Sequence, residues 1–174
     1  MEFTFTLNYQ LSGEDGNQDE LVERLGAAGC DDALIGIGAP GRMALEFTRD
    51  ASSAFEALIS ALTDVKQAIP SAKLIEAGPD LVGLTDIADV VGVTRQNMRK
   101  LAVNNCSTFP VPVHAGSLSL WHLVDVLHWM RRKAAYNIAP GALEVAEAAK
   151  QINLAKGAKQ IEPATADLMQ ALFV

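Results

Sequence analysis

Only two cysteines occur in 174 residues, Cys30 and Cys106, far apart and outside any C-x-x-C pair. That excludes a disulfide scaffold and a thiolate zinc module. Long apolar runs are missing as well. Every such run is broken by charge or glycine well short of the roughly 20 residues that a membrane span needs, and "MEFTFTLNYQ" shows no basic stretch leading into an apolar one. A cytoplasmic protein with no membrane partner is expected. No internal repeat or low-complexity tract appears. Gly36, Gly38 and Gly41 do not form G-x-G-x-x-G and do not open a helix, so they read as hairpin chemistry rather than a phosphate cradle. Asp31 and Asp32 read as a solvated turn. No nucleophile, general base or cofactor constellation stands out, so neither an enzyme nor a bound cofactor is expected.

Positive charge is scarce too, with 14 Lys and Arg against 21 Asp and Glu, for a net charge of −7. The scarcity is uneven. Residues 1–80 carry a net −9 and residues 134–174 a net −1, whereas residues 81–133 carry six basic and three acidic side chains. A local excess of that kind restricts any polyanion to one surface, and the acidic flank orients that surface toward it.

What is there begins with alternation. Phe3, Phe5, Leu7, Tyr9 and Leu11 interleave with Thr4, Thr6, Asn8 and Gln10, the period of a strand with one wet face. Asn17 with Glu20 makes a capping pair for a short helix carrying Leu21, Val22, Leu25 and Ala28. "DALIGIG" and "MALEFT" read as strands joined by the "APGR" turn. Ser53 with Glu56 opens a second helix that Pro70 stops, and "AKLIEA" supplies a fourth strand. The order strand, helix, strand, strand, helix, strand is that of a ferredoxin-like split βαβ unit. The class is therefore α+β, with a ferredoxin-like domain over residues 1–80 and a boundary at "GPD".

Next comes "LTDIADVVGVTRQNMRKLA". Thr85 is expected to cap one helix and Thr94 a second. Gly92 ends the first, Val93 plugs the turn, Ala88 gives the small contact that a tight crossing needs, and Met98 and Leu101 face inward. Arg95, Gln96, Asn97, Arg99 and Lys100 are left facing out, the side chains suited to base edges and phosphates. With alanine at the fifth position, glycine at the ninth, and apolar residues at the fourth, eighth, tenth, fifteenth and eighteenth, the spacing resembles the helix-turn-helix of bacterial transcription regulators.

Downstream, "FPVPVHAGSLSLW" reads as a small two-stranded wing, and "WHLVDVLHWMRRK" as a packing helix offering Trp121, Val124, Leu127 and Trp129 or Met130 to a core. Phe109-Pro110-x-Pro112, Trp121, Asp125-Val126 and Trp129 resemble the pattern of AlpA and excisionase-type proteins, within the winged MerR-like superfamily. The resemblance covers residues 84–133. It implies a winged helix-turn-helix domain, set here at residues 81–135, that binds double-stranded DNA. Such wings usually carry Arg or Lys, whereas this one offers His114, Ser117 and Ser119. Arg131, Arg132 and Lys133 are candidate phosphate contacts, equally explained by the helix macrodipole. His122 and His128 lie six apart on one predicted helix, hence on different faces, and no metal site is expected. Trp121 and Trp129 are expected in the core.

Residues 136–174 read as a helical C-terminal tail, one helix from Pro140 to a stop at Gly157 and a second in "PATADLMQALFV". Leu143, Val145, Ile152, Leu154, Leu168, Met169, Leu172 and Phe173 make it the favoured dimerisation element, with the acidic α+β domain as the other candidate. The expected function is a sequence-specific, dimeric transcriptional regulator. Two alternatives stand beside it: an excisionase-like DNA-bending factor, and an antitoxin or adaptor whose N-terminal domain takes a protein partner. A small ligand at that domain is the third use left open.

Overall fold

The computed structural model describes residues 1–13, 15, 17–133 and 136–173. It is a mixed α+β chain built on antiparallel sheets. The first half runs β1 (Glu2–Gln10), α1 (Gln18–Ala27), β2 (Ala33–Ile37), β3 (Arg42–Asp50), α2 (Ala54–Ala68) and β4 (Lys73–Gly78). The strands pair in the order β2-β3-β1-β4, every neighbour antiparallel. The alternation of β1 does what its period dictates: Phe3, Phe5, Leu7 and Tyr9 point into one core, opposite Met43, Leu45 and Phe47 of β3. Helices α1 and α2 are capped by side-chain oxygens of Asn17 and Ser53, which accept from the N–H groups of Glu20 at 3.0 Å and Glu56 at 3.2 Å. The β2–β3 turn requires Gly41, whose φ of +73° follows Pro40 in a turn closed by Arg42 N–H donating to the Ala39 carbonyl at 3.0 Å.

One inward position of β3 is charged. Arg49 is 8% exposed, and its guanidinium donates to both Asp32 oxygens at 2.7 and 2.9 Å, to Asp64 Oδ2 at 2.7 Å, to Ser60 Oγ at 3.0 Å and to the Gly29 carbonyl at 2.7 Å. The carboxylates raise the guanidinium pKa further, so the charge is permanent. Asp32 is thus a structural partner and not the solvated turn residue expected from sequence. It ties the α1–β2 connection to the far end of β3. Cys30 is buried nearby, its thiol pushed up to about 11 by burial and by the charge of Asp64, which makes it inert.

The second half runs β5 (Leu81–Val82), α3 (Leu84–Val91), α4 (Arg95–Asn104), β6 (His114–Ala115), β7 (Ser119–His122), α5 (Leu123–Arg132), α6 (Pro140–Ala158) and α7 (Pro163–Gln170). Helix α6 is not a detached tail. Val145, Ala148 and Ala149 enter the core of the four-stranded sheet, while Leu143 and Ala146 enter a second core beneath α3 and α5. Polar contacts fix it in register. Asn153 exchanges hydrogen bonds with the Ala77 backbone at 2.9 and 2.8 Å, and Lys150 pairs with Asp125 of α5 at 2.9 Å. At the junction Asp80, 2% exposed, accepts from Asn153 Nδ2 at 2.7 Å and bonds His122 Nδ1 at 2.6 Å. Of the eight apolar tail residues, Leu143 and Val145 are therefore buried inside this chain and Ile152 is half-buried, leaving Leu154, Leu168, Met169, Leu172 and Phe173 exposed.

Candidate nucleic-acid interface

Helices α3 and α4 cross where Ala88, 1% exposed, lets them approach, and Ile87 and Met98 are fully buried beneath the crossing. Gly92 ends α3 at φ +69°, a conformation that costs a side chain strain, and Val93 N–H donates back to the Ala88 carbonyl at 2.9 Å. Thr94 caps α4 as expected, its Oγ1 accepting from Asn97 N–H at 3.2 Å. Thr85 does not cap α3. The cap is Gly83, whose N–H donates to Asp86 Oδ2 at 2.9 Å, so Thr85 sits exposed in the first turn. A carboxylate at the third helical position satisfies the free N–H without a capping hydroxyl, and the helix starts two residues earlier than the threonine suggests.

Arg95, Gln96, Asn97, Arg99 and Lys100 are all exposed along α4, with Met98 the single buried residue of that helix. Among the described residues no salt bridge engages Arg95, Arg99 or Lys100. Positive charge and amide donors are thereby held together on the solvent side of α4, the side opposite Met98. Asn104 extends that face, following Asn97 and Lys100 at the helical spacing of seven and four. Together with Tyr136 these residues line a hollow of about 300 Å³ beside the helix. Asn104 was missed in the sequence, although its spacing was legible there. Tyr136 was not, because it lies 32 positions beyond Asn104 in the chain.

The hairpin expected as a wing is a pair of short antiparallel strands, with His114 opposite Leu120 and Ala115 opposite Ser119. His114 and Ser117 are exposed, Ser119 is half-buried, and Leu118 stands at the tip with 72% of its surface open. A third strand unforeseen from sequence, β5, pairs with β7 through Leu81–His122 and Val82–Trp121, giving the order β5-β7-β6. Trp121 accordingly belongs to β7 and not to the packing helix, which starts at Leu123. It is still a core residue, as is Trp129. Phe109 meets both edge to face at 5.9 and 5.1 Å, and Trp121 Nε1–H donates to the Pro110 carbonyl at 2.9 Å.

His122 and His128 do not share an element. The first bonds Asp80; the second lies 2.9 Å from Glu147 of α6. Among the described residues no group of three or more His, Cys, Asp or Glu is placed to hold a metal ion. At the end of α5, Arg131 and Arg132 are exposed, while Lys133 sits 5.0 Å over the Trp129 ring and 3.3 Å from Asn105 Oδ1, which draws it toward the fold. No helix of the described residues is long and apolar enough to cross a membrane. Set against protein-family models, curated proteins and solved structures, the chain matches none of them.

Proposed function

We propose that the chain is a sequence-specific, double-stranded-DNA-binding transcriptional regulator. On this reading residues 1–80 form a ferredoxin-like domain and residues 81–135 a winged helix-turn-helix of the AlpA and excisionase type, with α4 as recognition helix. The observation that carries it is the division of α4: Met98 is buried, while Arg95, Gln96, Asn97, Arg99 and Lys100 face solvent, the three cations without a salt-bridge partner among the described residues. Asn and Gln can pair bidentately with adenine and Arg with guanine, each such contact worth roughly 1–3 kcal/mol of discrimination. One helix reads few base pairs, so useful specificity calls for two copies on a palindromic or repeated site.

The test is selection from random duplex DNA with the full chain near physiological salt. A motif with two half-sites is expected, to be lost in Arg95→Ala and Asn97→Ala, each costing roughly 1–3 kcal/mol of specific over non-specific binding. Lys100→Ala weakens all sequences alike and reduces the salt slope by about 1. No enrichment with the parent chain, or enrichment unchanged in all three variants, refutes the recognition-helix assignment.

A second reading, DNA bending, is favoured by the wing. Its tip holds no Lys or Arg but an exposed Leu118. Apolar side chains inserted between base steps kink a duplex by roughly 20–90°. Circular-permutation gel shifts are expected to report a bend that Leu118→Ser removes; position-independent mobility with the parent chain eliminates the bending role.

A further inference from the structure

Every residue of α7 and the turn after it is exposed, Leu168, Leu172 and Phe173 by 68, 71 and 83%. Leu168, Met169 and Leu172 recur one and four residues apart and so share one side of the helix. A helix of eight residues is well below the roughly 12–15 that make an isolated helix even marginal in water. Such a helix needs a surface to lie on.

The same chain carries an uncovered apolar surface of comparable length. Between α2 and α6 runs an apolar groove of about 510 Å³, lined by Phe55 and Ile59 on one side, Ile152 and Ala155 on the other, and Leu74 at its floor. Phe55 and Ile59 are 52 and 41% exposed and lie four residues apart, hence on one side of α2. The groove follows α6 from Gln151 to Lys159, and eight residues of helix span about 12 Å, the length of α7. Lys159 stands at the groove's rim, while Glu162 and Asp167 belong to α7 and its approach, so the charges are complementary. The chain's own α7 leaves the groove open. Gln160 N–H donates to the Gly157 carbonyl at 3.0 Å and Ile161 N–H to the Ala158 carbonyl at 3.2 Å, which continues the coil of α6 into the connection.

We propose that this groove receives α7 of a second copy of the chain, and that the exchange is reciprocal, forming a two-fold dimer. A two-fold contact of this kind is self-complementary: each copy offers one helix and one groove. The proposal goes beyond DNA reading and does not depend on it.

The experiment is sedimentation equilibrium of the full chain. The parent is expected at twice the chain mass. Leu168→Asp combined with Leu172→Asp, and separately Ile59→Asp, are each expected at 18.5 kDa with an unchanged circular dichroism spectrum. If Ile59→Asp does not fold, Phe55→Asp takes its place. An equimolar mixture of the tail and groove variants is expected to regain a dimer, held by the one intact helix–groove pair, with weaker affinity than the parent. A parent that sediments as a monomer, a variant that remains a dimer, or a mixture that stays monomeric because α7 docks within its own chain or serves another partner, overturns the proposal. The two readings fail separately. A dimer that selects no DNA faults the recognition helix, and a monomer that selects DNA faults the exchange.

Discussion

Two helices of the second half, α4 and α6, are nearly opposite in what they hide. Helix α4 buries one residue, Met98, and turns its remaining polar surface outward. Helix α6 buries five, Leu143, Val145, Ala146, Ala148 and Ala149, and divides them between two cores. The first is held by its neighbours so that it can present something; the second is spent holding the neighbours together. The lesson concerns reading a pattern. A helix with an even spread of apolar residues is not thereby a surface in search of a partner, because two stripes can each have a core within the same chain.

The sharpest way to break this contrast is to charge α6 on one of its two faces. Val145→Asp places an unpaired carboxylate at a position 2% exposed, and a destabilisation of about 4 kcal/mol or more is expected. Because the helix joins two cores, both should melt together, read as one depressed transition in calorimetry. Two separate transitions, with the α3–α5 core unshifted, would show that α6 couples nothing. A milder test acts on the crossing that presents α4. Gly92→Ala meets no atom within 4 Å, so its cost is the left-handed backbone alone, about 1 kcal/mol in thermal or denaturant unfolding. A neutral result would mean that the turn relaxes out of φ +69° without loss, and that α4 is less firmly aimed than its hydrogen bonds imply.

Much of this architecture was legible in the sequence where the physics is local. The alternation of β1, the caps at Asn17, Ser53 and Thr94, the Gly92 turn and the order of elements over the first eighty residues all follow from groups within four positions of one another. What was not legible is set by partners far along the chain. Strand β5 has two residues, too few for any period to show, and exists because β7 lies beside it. Trp121 passed for a helical residue because the apolar spacing of "SLWHLVDVL" runs from strand into helix with no glycine or proline between. Asp32 gains its role from Arg49, 17 positions away, and Asp80 from Asn153, 73 positions away. Within the candidate interface, the five outward residues of α4 were read from spacing alone, whereas the exposed Leu118 tip and the hollow under Tyr136 required the fold.

The place of α6 in the chain also has a consequence in time. It supplies Val145, Ala148 and Ala149 to the core of a sheet whose last strand ends at Gly78. During synthesis at about 5–20 residues per second, that cover leaves the ribosome roughly 4 to 14 seconds after the sheet it closes. For that interval one flank of β1 and β4 lies bare, and the intervening α3–α5 unit must be made and set aside before the first unit can be finished. The order of manufacture and the order of completion are therefore reversed: the half begun first is closed by a helix made after the half begun second.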